Sequence, residues 1–474
     1  MSYATAYLGT KPFIRFANGS AGVWVRPTDW PALPVLGAGE NKFVGLYGVD
    51  DTDGNFVSIL TAVSTGTWTV DWGDGVVETG LTSNTKRDHL YNFSTIGSTP
   101  TAIGGWKPVT VTVTTSGGDI TTFSLQQKHS QAGLPGGAFR VNWLDIAING
   151  PSMTALTFGG STVIFDKLRK ATIGIHADTS MNEMFRGFTA LQSVPLFNTA
   201  LVTTMQDMFR DCTTIPTVPL FNTTSVVNMN SMFNNCTDLQ TIPLINTTNV
   251  LNMQGMFQSC SSLQYIPLLS TGAVTNMSSM FNNCTNLMTL PLLNTQSVTN
   301  MQAMFQGCFS IQSMPLLNTQ SVTNMDSMFN NNISLQFVPL FNTVSVTNMT
   351  NMFNNCGAII TIPLFNTAAV TSISNFLYQC YSIQSVPPLN TAAVSSAANS
   401  SQMFLSCRSL SRGRTNGIRF AVNYSGCKLS AAQINDIFAG LGTASGAQTV
   451  TVSGNYGYAT CTPSIATAKG WTVA

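Results

Sequence analysis

The sequence predicts an α/β repeat solenoid of 24-residue coils, each a short parallel strand plus a short helix, preceded by an all-β sandwich. Two observations predict the solenoid. Pro195, Pro219, Pro243, Pro267, Pro291, Pro315, Pro339, Pro363 and Pro387 recur every 24 residues without a slip, the mark of a stacked repeat. Within each step, residues such as Met205, Met208, Phe209 and Cys212 stand at i, i+3, i+4 and i+7, the spacing of one helix face. A third observation predicts the sandwich: WTVDW and VTVTV alternate with a period of two around a Gly-Asp-Gly turn, which is a strand signal.

Taken in order, residues 1–41 hold FIRF, VWVRP and DWPALP in too short a stretch for a core, so they are expected to be an anchoring arm that orders against a partner. The first residues carry Lys11 and Arg15 without the apolar run of a secretory signal. No 18 consecutive residues are apolar, so membrane insertion is not expected. Residues 42–125 form the expected sandwich. In residues 126–190 the segments VNWLDIAI, SMTALTF and ATIGI read as strands that cap the solenoid, and Met181, Met184 and Phe185 already fall on the 24-residue grid as its first coil.

Residues 191–410 are the solenoid proper. A run such as LQTIPLIN, Leu239 to Asn246, predicts a short buried strand ended by a turn. The Met-x-x-Met-Phe-x-x-Cys half predicts a two-turn helix. Neither is stable alone, so each coil must be covered by its neighbours. Proline has no N–H, which puts the proline column at a strand end. Residues 411–474 suit a C-terminal cap: LSAAQINDIFAGL predicts a helix with Ser430 as N-cap, followed by a strand from Thr449, a helix ending at Gly470 and a last strand WTVA.

Eight cysteines, Cys212, Cys236, Cys260, Cys284, Cys308, Cys356, Cys380 and Cys407, share one repeat position, with Asn332 in the gap and a three-residue insertion before the last. In-register thiols pointing the same way behave as small buried hydrophobes. A metal ladder needs a second donor column, and the repeat has none. Asn228, Asn252, Asn276, Asn300, Asn324 and Asn348 form another column, expected to satisfy backbone groups at turns.

Lys and Arg total 20 against 19 Asp and Glu, and charged residues are only 8% of the 474. A nucleic-acid binder needs a cationic surplus, so nucleic acid is not an expected partner. The surface of the repeats reads as neutral and hydrogen-bonding.

On its Val-Thr-Asn-Met, Met-Phe, Cys and Leu series the unit resembles the BspA-type leucine-rich repeat, departing from it at the proline. That resemblance implies surface recognition or adhesion and no chemistry. Val70-Asp71-Trp72-Gly73-Asp74-Gly75, His89-Leu90-Tyr91 and the stretch from Gly105 to Val113 resemble the PKD-type, immunoglobulin-like sandwich. Asp71 and Asp74 are read there as bonding the backbone N–H groups of their own turn, and His89 as matching a structural position; a catalytic or metal cluster is the rejected alternative. Asp50 to Asn55 hints at a calcium loop, yet Phe56 stands where that loop needs glycine, so it reads as a turn.

No phosphate loop, nucleophile elbow or paired-carboxylate site is found, so no enzyme activity and no cofactor are expected. The layout of arm, WGDG module and repeats resembles bacteriophage virion appendages. The expected function is a tail fibre or appendage, made in the host cytoplasm, that holds other virion proteins through its N-terminal region and touches host-surface glycan or protein, as a homo-oligomer. A capsid or tail decoration protein and a BspA-like bacterial adhesin are the alternatives.

Overall fold

The computed structural model describes residues 26–51, 55–102, 104–127, 129, 139–160 and 163–474. Most of the expected arm, residues 1–25, therefore lies outside the described residues, as do residues 52–54 of the Asp50 turn. The chain divides into two compact units, Met1–Ser225 and Val226–Ala474.

The first unit opens with β1 (Lys42–Val49), β2 (Phe56–Val63), β3 (Thr67–Asp71), β4 (Val77–Leu81), β5 (Thr85–Leu90), β6 (Lys107–Ser116) and β7 (Ile120–Ser124). It continues through β8 (Phe139–Arg140), β9 (Trp143–Asn149), β10 (Ala155–Thr157), β11 (Val163–Ile164) and β12 (Lys170–Ile173). One sheet has the order β12-β9-β1-β6-β3-β4 and the other β10-β7-β2-β5. Between them Phe43 stacks on Phe123 at 4.5 Å, and Trp143 meets Phe43 and Tyr47 edge-on. β9 and β12 extend the first sheet from β1, and β10 pairs with β7. The sheets thus run on through the segment read as a leading cap, because the strands of 140–173 supply apolar edges that the sheets of 42–125 leave open. Phe123, Phe158, Phe185 and Phe209 form a chain of aromatic contacts from this core into the first coils.

The second unit is built of stacked coils. The expected helix in each coil is absent, and this corrects the α/β reading. From Met253 to Cys260 the backbone makes consecutive turns: the N–H groups of Met256, Gln258 and Cys260 donate to the carbonyls of Met253, Gly255 and Phe257. The alternate N–H groups of Met253, Gly255, Phe257 and Ser259 donate instead to Asn276, Ser278, Met280 and Asn282 of the next coil. Gly255 and Ser259 have φ of +58° and +61°, a left-handed conformation no α-helix contains. Four-residue turns return Met, Met-Phe and Cys to the same side as a helix does, so the spacing is common to both. Only the turns leave half the N–H groups free to tie one coil to the next.

The strand also sits elsewhere than expected. The continuous parallel ladder runs through the Val-Thr-Asn-Met segment, linking Asn228, Asn252, Asn276, Asn300, Asn324, Asn348 and Ser372 by bridges between successive coils. The Leu-Gln-x-Ile-Pro segment carries only scattered bridges such as Ser313 to Phe337, since proline cannot donate to a ladder. Inside, Phe233, Phe257, Phe281, Phe305, Phe329 and Phe353 stack at 5.6 to 5.8 Å with ring planes within 8°.

The tail adds β13 (Leu389–Asn390), β14 (Thr415–Asn416), β15 (Val422–Asn423), α1 (Ala431–Gly440), β16 (Gln448–Thr451), α2 (Ser464–Thr467) and β17 (Trp471–Val473). α1 buries Ile434, Ile437 and Phe438, and the Ser430 hydroxyl accepts from the Gln433 N–H. α1 and α2 are the only α-helices among the described residues.

Candidate functional site

Each column of the repeat has its own partners. Every thiol in the cysteine column is buried and outside any disulfide. The Sγ of Cys260, Cys284, Cys308, Cys356 and Cys380 each donates to the carbonyl of the phenylalanine one coil back, Phe233, Phe257, Phe281, Phe329 and Phe353, at 2.9 to 3.1 Å. Cys212 does the same to Phe185, and Cys407, beyond the insertion, to Leu377. Burial pushes the thiols of Cys284 and Cys356 up to about 12 and holds those of Cys212, Cys260, Cys308, Cys380 and Cys407 well above the usual range. A neutral, hydrogen-bonded thiol is a poor nucleophile and a poor metal ligand.

The asparagine column works on the backbone. The Oδ1 atoms of Asn252, Asn276, Asn300, Asn324 and Asn348 accept the N–H two residues on, at 3.0 Å. A buried threonine column, including Thr247, Thr271, Thr295, Thr319 and Thr343, donates each hydroxyl to a carbonyl of the following coil at 2.7 to 2.8 Å. These side chains are occupied in holding turns.

The proline column is half-buried and shapes the exterior. The carbonyls of Pro219, Pro243 and Pro363 accept from the N–H two residues on, at 2.9 to 3.0 Å. Such a three-residue turn throws the middle residue outward. Leu196 and Leu220 in the first unit, and Leu244, Leu268, Leu292, Leu316, Leu340 and Leu364 in the second, are consequently 58 to 63% exposed. The neutral exterior therefore contains a row of leucines as well as Asn, Gln, Thr and Ser. Sequence reading absorbed these leucines into the buried run; the signal for them was the proline immediately before each.

In the WGDG segment the carboxylates bond their own turn: Asp71 Oδ1 accepts from the Gly73 N–H and Asp74 Oδ1 from the Val76 N–H. His89 stacks on Trp72 at 4.8 Å with its Nε2 2.8 Å from Asp74 Oδ2, and the Tyr91 hydroxyl donates to the Trp72 carbonyl. The three residues are brought together, but as a brace on the turn. The Asp50 N–H donates to Asn55 Oδ1, and Asn55 Nδ2 donates to the Asp50 carbonyl. Among the described residues no group of three His, Cys, Asp or Glu side chains is placed to hold a metal, and no helix is long and apolar enough to cross a membrane.

The coil surface of the second unit carries a concave feature. Gln336, Ala358, Ile360, Ser382, Gln384 and Ser409 line a shallow depression of about 520 Å³ in the second unit. Phe337 and Tyr381, adjoining Gln336 and Ser382 in the chain, are exposed, and the Arg408 guanidinium lies 5.3 Å from the Tyr381 ring centroid. None of these residues was singled out from the sequence. Their signal was a large side chain in columns filled mostly by Thr, Ser or Gln.

No curated protein matches the sequence. Among solved structures, the TLR13–ssRNA13 complex is similar at 10% identity and a TM-score of 0.20, over 66% of this chain and 55% of that one. The plant peptide hormone receptor RGFR1 in complex with RGF2 is similar at 12% identity and a TM-score of 0.23, over 64% of each chain. The chain thus spans less than two thirds of the length of either. The profile of the family described as "Mycoplasma protein of unknown function, DUF285" matches residues 179–292, 275–360 and 333–416. Together these matches run over 179–416, just over half of the 474 residues, and the chain belongs to this family.

Proposed function

We propose that this protein is a non-enzymatic recognition scaffold whose coils present a nearly charge-free contact surface. The observation that carries the reading is that exterior. Between Val226 and Leu410 the only charged residues are Asp238, Asp326 and Arg408, while exposed columns offer Leu, Asn, Gln and Thr. Interior side chains are consumed by stacking and turn formation, which leaves contact with a partner as the work the exterior is suited to.

The setting we propose is a bacteriophage virion, with the chain as a homo-oligomeric tail fibre or appendage that meets other virion proteins through its N-terminal region and host-surface glycan or protein through its coils. The PKD-like signature WGDG with His89 and Tyr91, ahead of the repeats, supports this layout. The DUF285 match supports a second setting, a BspA-like adhesin on a bacterial surface. Gold-labelled antibody against residues 411–474, applied to purified particles and to intact cells, separates the two: label on particle appendages is expected, and label confined to cell surfaces replaces the virion with the adhesin. Contact through uncharged groups is weakly screened. Binding to target cells is therefore expected to change less than about twofold between low and high salt, and a steep loss with salt overturns the neutral-contact reading.

A further inference from the structure

At a few places the coils carry large outward side chains where other coils have small polar ones. The residue after the cysteine column is Thr237, Ser261 and Thr285 in earlier coils of the second unit, but Phe309, Ile333 and Tyr381 in later ones, 39 to 49% exposed. Two positions beyond the coil's leading Leu or Ile, where Thr289, Ser313 and Thr361 stand, Phe337 is 66% exposed. In the glutamine column Ile360 lies between Gln336 and Gln384 and is 45% exposed. Folding does not require these groups, because neighbouring coils bury the same interior without them.

Ile360 lines the depression, and Phe337 and Tyr381 adjoin its lining residues Gln336 and Ser382; Phe309, like Tyr265 and Met288, stands on an earlier coil. The Gln384 N–H donates to the Ile360 carbonyl, and the Gln336 N–H to that of Gln312, so the glutamine column is in register and forms the floor with Ala358, Ser382 and Ser409. Tyr381 borders it on the side of the cysteine turn. Phe337 borders it on the side of the proline turn. A hollow with an uncharged lining therefore has an exposed aromatic residue in the column on each side, and amides and hydroxyls between them.

We propose that this depression binds a neutral saccharide, a proposal that rests on the recognition reading above and assigns it a site. A pyranose has a C–H face that packs on an aromatic or aliphatic surface and a fringe of hydroxyls that both donate and accept, as glutamine amides and serine hydroxyls do. The volume falls within the range of about 300–1,000 Å³ usual for small-ligand sites, and its openness admits an internal stretch of a chain as well as an end. The lining residues themselves carry no charge; of the cations beside them, Arg408 lies over the Tyr381 ring and Arg412 donates its N–H to the Gln384 carbonyl.

The test uses the full-length protein on an array of neutral oligosaccharides, followed by titration of any that bind. Phe337→Ser installs the residue found one coil earlier, and Gln384→Ala removes an amide from the floor. Both are expected to weaken saccharide binding by about fivefold to tenfold with unchanged melting curves. Tyr265→Thr, in the same column as Phe337 but three coils away, is expected to bind as the parent does. No binding to any saccharide on the array, or equal loss in Tyr265→Thr, overturns the site. Cell binding that is lost in Phe337→Ser yet survives periodate treatment of the cells leaves the recognition reading standing and replaces the saccharide with a protein ligand.

Discussion

Asn332 occupies the position that carries cysteine in the coils before and after it. It is fully buried; its Oδ1 accepts from the Cys308 N–H at 2.9 Å, while its Nδ2 has no partner. A buried unsatisfied donor costs about 1–3 kcal/mol, so Asn332→Cys should stabilise the protein by roughly that amount, seen as a higher urea midpoint. A lower midpoint would show that the amide, not the thiol, suits this coil. Leu292 and Leu293 make the opposite comparison, being 63% and 2% exposed. Leu293→Ala should cost about 2–5 kcal/mol through lost burial and a residual cavity, and Leu292→Ser less than about 0.5 kcal/mol. Equal losses would mean that the outward leucine row is covered. Lys469 donates its Nζ to the carbonyls of Phe438, Ala439 and Leu441 at 2.7 to 3.2 Å. These are carbonyls at the C-terminal end of α1, where the helix dipole favours a cation. Lys469→Met should destabilise the tail by about 1–2 kcal/mol, read as earlier hydrogen exchange across α1.

At the scale of the element, the coil is a set of turns rather than strand plus helix, and part of that was legible. Most left-handed positions of the coils are Asn or Ser, such as Ser231 and Asn235, Ser279 and Asn283, Ser327 and Asn331, Asn351 and Asn355, with Ala303 and Gln379 among the others. Asn tolerates that region better than most residues, and neither Asn nor Ser favours a helix interior. The composition between the Met and Cys anchors thus pointed away from a helix, while the spacing of the anchors pointed toward one. Spacing is shared by the two structures and composition is not. The tail helix α1 differs because its interior, AAQINDIFAG, starts from a serine cap and contains alanines, so spacing and propensity agree there.

For the molecule as a whole, the ten thiols report how well the interior is sealed. Nine are buried and Cys461 alone is partly exposed. One thiol per native chain should react with a bulky disulfide reagent at neutral pH and ten after denaturation. Several fast-reacting thiols would mean that the coils open readily. Alkali probes the same seal. Burial raises the folded-state pKa of Cys284, Cys356 and Cys427 to about 12, and burial likewise raises the hydroxyls of Tyr47, Tyr91 and Tyr424. A group that holds its proton more tightly when folded gives its full contribution below the unfolded value, about 8.5 for a thiol. That contribution falls as pH rises toward the folded value. Stability should be flat near neutral pH and drop steeply above about pH 9, followed by circular dichroism; a plateau to pH 11 would contradict these shifts.

The 24-residue period, the identity of the buried columns and the scarcity of charge were determined by sequence alone, because each is a statement about which residue recurs where. Hydrogen-bond destinations were decided only by the tertiary structure. A backbone N–H donates within its turn or to the next coil according to φ at residues such as Ser259 and Asn283, and that choice replaced the helix with turns. The outward leucines and the hollow beside Phe337 and Tyr381 were likewise set by stacking, since exposure belongs to a position among neighbouring coils and not to a residue in its own.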